Sequence, residues 1–290
     1  MKSKTYLFVI AITAMLAAGA ADAGPSLVEY DLTGPGVNSV SITGGTGGTA
    51  LFTTDFTQPA GTGVIDPFIR TQILGGSGGE QGYNTDGTEE FQTKDAAGSN
   101  WNHSLLLADV PIVTVGGIQY REFMLDVNES QGGTKNLISL DELQFFTTSN
   151  PAITGYDDIH NNFGSNADLA WEMDNVNLNG NGVATNGTDN YIKLDNCKAD
   201  GTCGSGDFDM KALIPDSAFA GKKGEYVVLF NRFGDHFAAD AGFEEWIAPP
   251  GKGGNGSVPE PVTLALFGLG LFGMTYIRRR HITSEDRLSC

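Results

Sequence analysis

The sequence predicts an all-β domain, a β-sandwich of jelly-roll or Ig-like type, followed by a single C-terminal transmembrane helix. Three observations carry this reading. Between Gly24 and Pro249 no stretch keeps a 3.6-residue apolar period over the roughly twelve residues a helix needs. Short β-prone runs stand there instead, separated by glycine and asparagine turns, as in a sandwich. Forty glycines and seventeen phenylalanines supply turns and enough apolar bulk for a core, which argues against wholesale disorder.

The elements follow in chain order. Lys2 and Lys4 precede the uncharged run Tyr6 to Ala18, which gives way to small residues ending in Ala21-Asp22-Ala23. This is the positive, apolar, small-residue order of a secretory signal peptide, so residues 1–23 are expected to be removed after Ala23. Residues 24–248 form the ectodomain. Strands are expected at Leu27 to Leu32, Val37 to Ile42, Leu51 to Phe56, Phe68 to Leu74, Ile112 to Val115, Ile118 to Asn128, Leu137 to Thr147, Leu169 to Met173, Tyr191 to Leu194, Phe208 to Leu213, Tyr226 to Phe230 and Phe243 to Ile247. Pro215 to Phe219 reads as one helical turn with proline at its start. Gly44 to Thr49 and Gly75 to Gly79 read as loops, Asn175 to Gly180 as an exposed turn, and residues 249–257 as a flexible linker.

The clearest supersecondary expectation is a hairpin. Phe123, Leu125 and Val127 share one face of a strand, and Gly132-Gly133 turns the chain into Asn136 to Phe146. In the returning strand Ile138 and Leu140 are out of phase with Leu143 and Phe145, so one residue must be absorbed near Asp141 and Glu142. A β-bulge there re-aims both carboxylates.

The chain's other end reads Val258-Pro259-Glu260-Pro261, then Val262 to Ile277 without a charge, then Arg278-Arg279-Arg280. The apolar run is just long enough to span a bilayer when its ends snorkel, and the arginines hold its end on the cytoplasmic side. The prolines cannot extend a helix backwards, so the motif is left extended outside the membrane. Residues 258–281 resemble the PEP-CTERM sorting signal, with residues 282–290 as a further cytoplasmic tail. The resemblance implies recognition of Pro259, Glu260 and Pro261 by an exosortase, a membrane cysteine protease, with transient inner-membrane anchoring by the C-terminal helix. Gly61 to Phe68, the 121–146 region and Ala241 to Trp246 also look like ectodomains of other PEP-CTERM proteins, whose activity is not settled.

Charge narrows the partners. The formal net charge is −18, and −21 without the signal peptide and everything after Ile277. Such a field excludes nucleic acid as a partner and favours cations. Cys197 and Cys203 enclose a short loop in an oxidising compartment and are expected to form a local disulfide. Closing so short a loop stabilises by about 2 kcal/mol at most.

Calcium is the sharpest chemical candidate and the one cofactor considered. Asp126, Asn128 and Ser130 place oxygens on alternate residues before a glycine turn, and Asp141 and Glu142 could close the site across the hairpin. The plainer reading is that these residues form turns. Catalysis has weaker support. Gly75-Gly76-Ser77-Gly78-Gly79 fits a nucleophile elbow only formally. Glu244-Glu245, or Asp207 with Asp209, could supply glycosidase carboxylates, but adjacency says nothing of their spacing. His103, His160 and His236 show no paired ligand spacing. Trp101, Trp171 and Trp246 suit a core better than a sugar platform. The expectation is therefore a non-enzymatic, surface-sorted protein with a structural or adhesive role in the extracellular matrix or biofilm, in contact with exopolysaccharide. A carbohydrate-binding module is the alternative and a secreted hydrolase the third reading.

Overall fold

The computed structural model describes residues 24–34, 36–55, 66–73, 78–88, 91, 101–130, 132–179, 181–197, 206–240 and 242–249. The signal-peptide and sorting-tail readings, including Pro259, Glu260, Pro261 and Arg278 to Arg280, fall outside these residues, as do Ser77 and Cys203. The chain divides into two units, 1–250 and 251–290. Among the described residues no helix is long and apolar enough to cross a membrane.

Described residues form two sheets and almost no helix. The larger sheet orders β1 (Ser26–Asp31), β12 (Ala184–Asp195), β9 (Leu137–Thr148), β14 (Tyr226–Phe233) and β5 (Glu80–Tyr83). On it, β10 (Asp168–Glu172) pairs with β9, β11 (Asn175–Leu178) with β12, and β6 (Leu105–Leu106) with β14. The smaller sheet orders β2 (Ser39–Thr43), β3 (Thr49–Thr53), β13 (Met210–Pro215), β8 (Ile118–Asp126), β15 (Glu244–Ile247) and β4 (Ile69–Thr71), with β7 (Ile112–Val115) on β8. The pairings are antiparallel except β1 with β12, which is parallel. A 3₁₀ turn at Asp216–Phe219 takes the place of the expected helical turn.

Alternation builds the core. Phe52, Phe123, Leu125, Ala212 and Ile214 from the smaller sheet meet Leu143, Phe145, Ile192, Leu229 and Phe233 from the larger in one buried cluster that also holds Trp171 and Trp246. Phe123 and Phe145 meet across the two sheets with ring centroids 4.6 Å apart and planes tilted by 42°. The Gly44–Thr49 loop closes one end of this core. Gly45 N–H donates to Asp174 O at 2.8 Å, and Trp171 Nε1–H donates to Gly48 O at 2.9 Å. A Cβ on Gly44 would stand 1.7 Å from Glu172 O, so any side chain there would push the loop off the core.

Two expectations are corrected. The strands around Phe123 and Phe145 are not a hairpin: β8 lies in the smaller sheet and β9 in the larger, so residues 127–136 cross between sheets. Both strands turn apolar faces to one core from opposite sides, which a sequence pattern cannot distinguish from pairing side by side. Asn175 to Leu178 is a strand, β11, not an exposed turn, and beyond it Gly182 N–H donates to Asn179 O at 2.9 Å.

The bulge is present. Across β9 and β14, Arg232 pairs with Glu142 and Phe233 with Leu140, leaving Asp141 as the extra residue. Because of it Ile138, Leu140, Leu143 and Phe145 all reach the core. The same step turns Glu142 to the outer face of the larger sheet.

Candidate functional site

That outer face has two halves. On one, Tyr83, Phe146, Val228 and Phe230 are covered by Ile153, Tyr156 and Phe163 from residues 149–166. Tyr156 stacks on Phe230 at 4.0 Å and its hydroxyl donates to Gln144 Oε1 at 2.7 Å. This apolar anchor fixes the start of the next stretch, Asp157-Asp158, at the edge of the other half.

The other half is an acidic groove centred on Arg232. On β14 the outward residues run Val228, Phe230, Arg232, so the strand passes from the aromatic cluster straight into the groove. Arg232 Nε donates to Gln81 Oε1 at 2.9 Å, and one terminal nitrogen donates to Asp158 Oδ1 at 3.0 Å. The other terminal nitrogen lies 3.8 Å from Glu142 and 3.9 Å from Asp235. A cavity of about 430 Å³ opens here, lined by Gly79, Glu80, Gln81, Asp158, Arg232 and Asp235.

Behind the groove, Asp141 is tied down rather than open. Its Oδ2 accepts from Ser139 Oγ at 2.8 Å and from Asp235 N–H at 2.7 Å, while Oδ1 lies 2.7 Å from His236 Nδ1. The His236 ring stacks on Tyr191 at 4.0 Å, nearly parallel. The bulge thus positions Asp141 to hold the β14 exit and leaves Glu142 facing Arg232.

Electrostatics set the groove apart. Burial pushes the Glu142 carboxyl up to about 7, Arg232 pulling it down and the charges of Glu172, Asp158 and Asp189 pushing it further up. Asp174, which accepts from Asn190 N–H at 2.7 Å, is pushed up by burial to about 8, with Glu142, Asp189 and Glu172 adding to the rise. Glu172, Asp189 and Asp141 are also raised, by burial first. Glu142 and Asp174 are thereby poised between donor and acceptor forms near neutral pH, a property concentrated at functional sites.

The other sequence candidates fall in several places. Asp126, at the end of β8 in the smaller sheet, accepts from Gly206 N–H at 2.8 Å, whereas Asp141 and Glu142 lie on the far face of the larger sheet. The five calcium candidates Asp126, Asn128, Ser130, Asp141 and Glu142 are therefore not brought together. Among the described residues no three His, Cys, Asp or Glu side chains group as a metal centre. Glu244 points into the core, while Glu245 faces outward 3.6 Å from Arg70. Asp209 Oδ2 accepts from Val127 N–H. Trp171 and Trp246 are core residues, and Trp101, 37% exposed, lies over the Arg70 guanidinium. His160 pairs with Asp157 at the surface. Cys197 follows β12 by two residues and donates its N–H to Asp195 Oδ1.

Sequence reasoning found Glu142 through the phase change but missed Arg232, Asp158 and Asp174. The signal for Arg232 was present: a charge continuing the outward alternation of Val228 and Phe230. Nothing local marks Asp158 or Asp174: only the fold brings Asp158 to the groove and Asp174 within the field of Glu142.

Residues 257–280 match the model of the PEP-CTERM protein-sorting motif. That motif directs export across the inner membrane and, after processing by the membrane protease exosortase, a surface or extracellular location. No curated protein and no solved structure matches the chain.

Proposed function

We propose that this exported, PEP-CTERM-sorted chain is a non-enzymatic adhesive protein of the extracellular matrix whose groove binds neutral or amino-sugar exopolysaccharide. The observation that carries the reading is the groove itself. A planar guanidinium is ringed by carboxylates and an amide, in a cavity of about 430 Å³. Forked donors and acceptors of this kind suit neighbouring sugar hydroxyls, which both give and take hydrogen bonds. The volume falls in the range of about 300–1,000 Å³ usual for small-ligand sites. Surplus acid around one arginine disfavours uronic acids and sulfated glycans, so neutral or cationic sugars fit best.

Binding of the exported protein to arrayed glycans tests this. Neutral or amino-sugar polymers should be retained and uronic acid polymers not. Asp158→Ala and Gln81→Ala should each weaken binding by roughly tenfold, about the worth of one hydrogen bond to a charged or well-placed group. An array without binders, or binding indifferent to both changes, ends the proposal.

The hydrolase reading keeps one supporting observation. Glu142, balanced near neutrality, has the protonation a general acid requires. Turnover of a bound glycan, abolished in Glu142→Gln while binding survives, would make the groove an active site instead. The Cys197–Cys203 link is likewise proposed on the chemistry of the compartment. Peptide mass mapping without reductant should return residues 197–203 as one linked loop, and two alkylatable thiols would refute it.

A further inference from the structure

A second polar cluster lies inside the sandwich, where the edge strands β4 and β5 of the two sheets approach each other. Glu80 enters from β5 and Glu244 from β15, at 2% and 1% exposure. The two carboxyls lie within hydrogen-bonding reach of each other, burial raises both, and Glu80 pushes Glu244 further up while Glu244 pulls Glu80 back down. Thr71 stands directly opposite Glu244 across the β4–β15 register. Asn231, wholly buried on β14 and diagonal to Glu80, donates Nδ2–H to Thr71 Oγ1 at 3.3 Å.

The cluster is rich in acceptors and poor in donors. Glu80 Oε1, both oxygens of Glu244 and Asn231 Oδ1 are buried without a hydrogen-bond partner of good geometry. The Asn128 amide leans toward Glu244, and Glu129 adds further negative field. Leaving one such group dry costs about 1–3 kcal/mol, and a charged one more. A single proton shared by the two carboxyls would join one pair of oxygens and leave the amide oxygen as it is. A divalent cation would satisfy all four at once and cancel the two carboxylate charges.

We propose that this interior cluster is a calcium site, held by the Glu80 and Glu244 carboxylates with Asn231 Oδ1 and Thr71 Oγ1. Every donor is oxygen, which selects a hard cation. Calcium takes 6–8 oxygens in flexible geometry at about 2.3–2.6 Å, so two bidentate carboxylates and two neutral oxygens suffice. Magnesium demands a tight octahedron and sheds water reluctantly, which a dry interior does not allow. With two carboxylates rather than three the site is electroneutral when filled. Glu80 also borders the groove cavity, but the other three members lie on the core side, away from Arg232 and Asp158, and the proposal does not rest on the adhesive reading. The ion would tie β5 to β4 and β15 and so join the two sheets at their open side.

The test is thermal melting of the exported protein in calcium and in magnesium at equal ionic strength. Calcium at a hundredfold excess over Kd should raise Tm by about 5–10 °C, with magnesium giving only the general salt response. Glu80→Gln and Glu244→Gln should each remove the calcium-specific rise, and Ser130→Ala should keep it. Terbium offered to the unaltered protein provides a readout free of mutation: emission sensitised by Trp246, two residues from Glu244, should appear and be competed by calcium but not magnesium. No calcium-specific rise and no competed emission would overturn the site. So would a rise that survives both glutamine variants. If the pair instead shares a proton, calcium has no effect and Glu244→Gln raises Tm at neutral pH, which overturns it too.

Discussion

Replacing Glu260 by alanine is expected to leave the chain uncleaved in the inner membrane, the all-or-none outcome among the changes considered. The motif supplies one negative charge between two residues that cannot continue a helix, and Glu260 is expected from the sequence to be presented on extended backbone outside the membrane. Removing the carboxylate takes away the charge a protease can grip. It leaves untouched the apolar run Val262 to Ile277 and the Arg278 to Arg280 cluster, which are expected from the sequence to hold the chain in the membrane. Membrane fractions of the variant should contain only the longer form, and the surface fraction should lose the protein. Normal processing of Glu260→Ala would show that the match at 257–280 does not operate as a sorting signal in this chain.

Strand positions were legible where side chains alternate between core and solvent. Ile112–Val115 is found at its expected bounds, and β8, β9 and β14 lie within a few residues of theirs. The strands that escaped lack a buried apolar alternation: β6 is two leucines long, and β5 and β11 are half polar. β5, Glu80-Gln81-Gly82-Tyr83, buries an acid and a glycine on its core side, so nothing in its pattern announces a strand. In β11 asparagines alternate with only half-buried Val176 and Leu178. Pairing was less legible than position. Alternation says which face of Phe123 or Phe145 is buried but not whether the partner strand lies beside it or across the core, and the glycine turn at 132–133 suits either.

The candidate site shows the same division. A phase change is a local fact, and it located the bulge at Asp141 and the outward turn of Glu142. The groove is a nonlocal fact. Its walls come from β5, β14 with Asp235 beyond it, and Asp158, and only folding brings Arg232 and Asp158 together there and sets Asp174 within the field of Glu142. Acidic composition foretold an excess of carboxylates without telling which of them would be buried together.

That burial yields the second large effect, a loss of stability as pH rises through neutrality. Glu142 and Asp174 have native values of about 7 and about 8, above the 4.5 and 3.8 of unperturbed carboxyls. Between about pH 4 and 8 the native state therefore holds protons the unfolded chain has released, and stability falls with pH across that window. The contribution is complete below about pH 4 and is gone above about pH 8. Asp31, lowered by Thr33 and Lys193 against its partial burial, works in the opposite sense and only at the acid end. Asp174→Asn removes the buried charge while its side-chain oxygen can still accept from Asn190 N–H. The variant should melt roughly 5–10 °C above the parent at pH 8, corresponding to a few kcal/mol, and close to it at pH 4. Glu142→Gln should gain less, because Arg232 loses its charged neighbour as the acid is neutralised. Glu142 helps to raise Asp174, so the double variant should gain less than the sum of the single ones. Melting curves at half-unit intervals from pH 4 to pH 9 measure all of this. A parent Tm that is flat through pH 5–8, or an Asp174→Asn variant with the parent's slope, would mean that the groove carboxyls are solvated and titrate as ordinary surface acids.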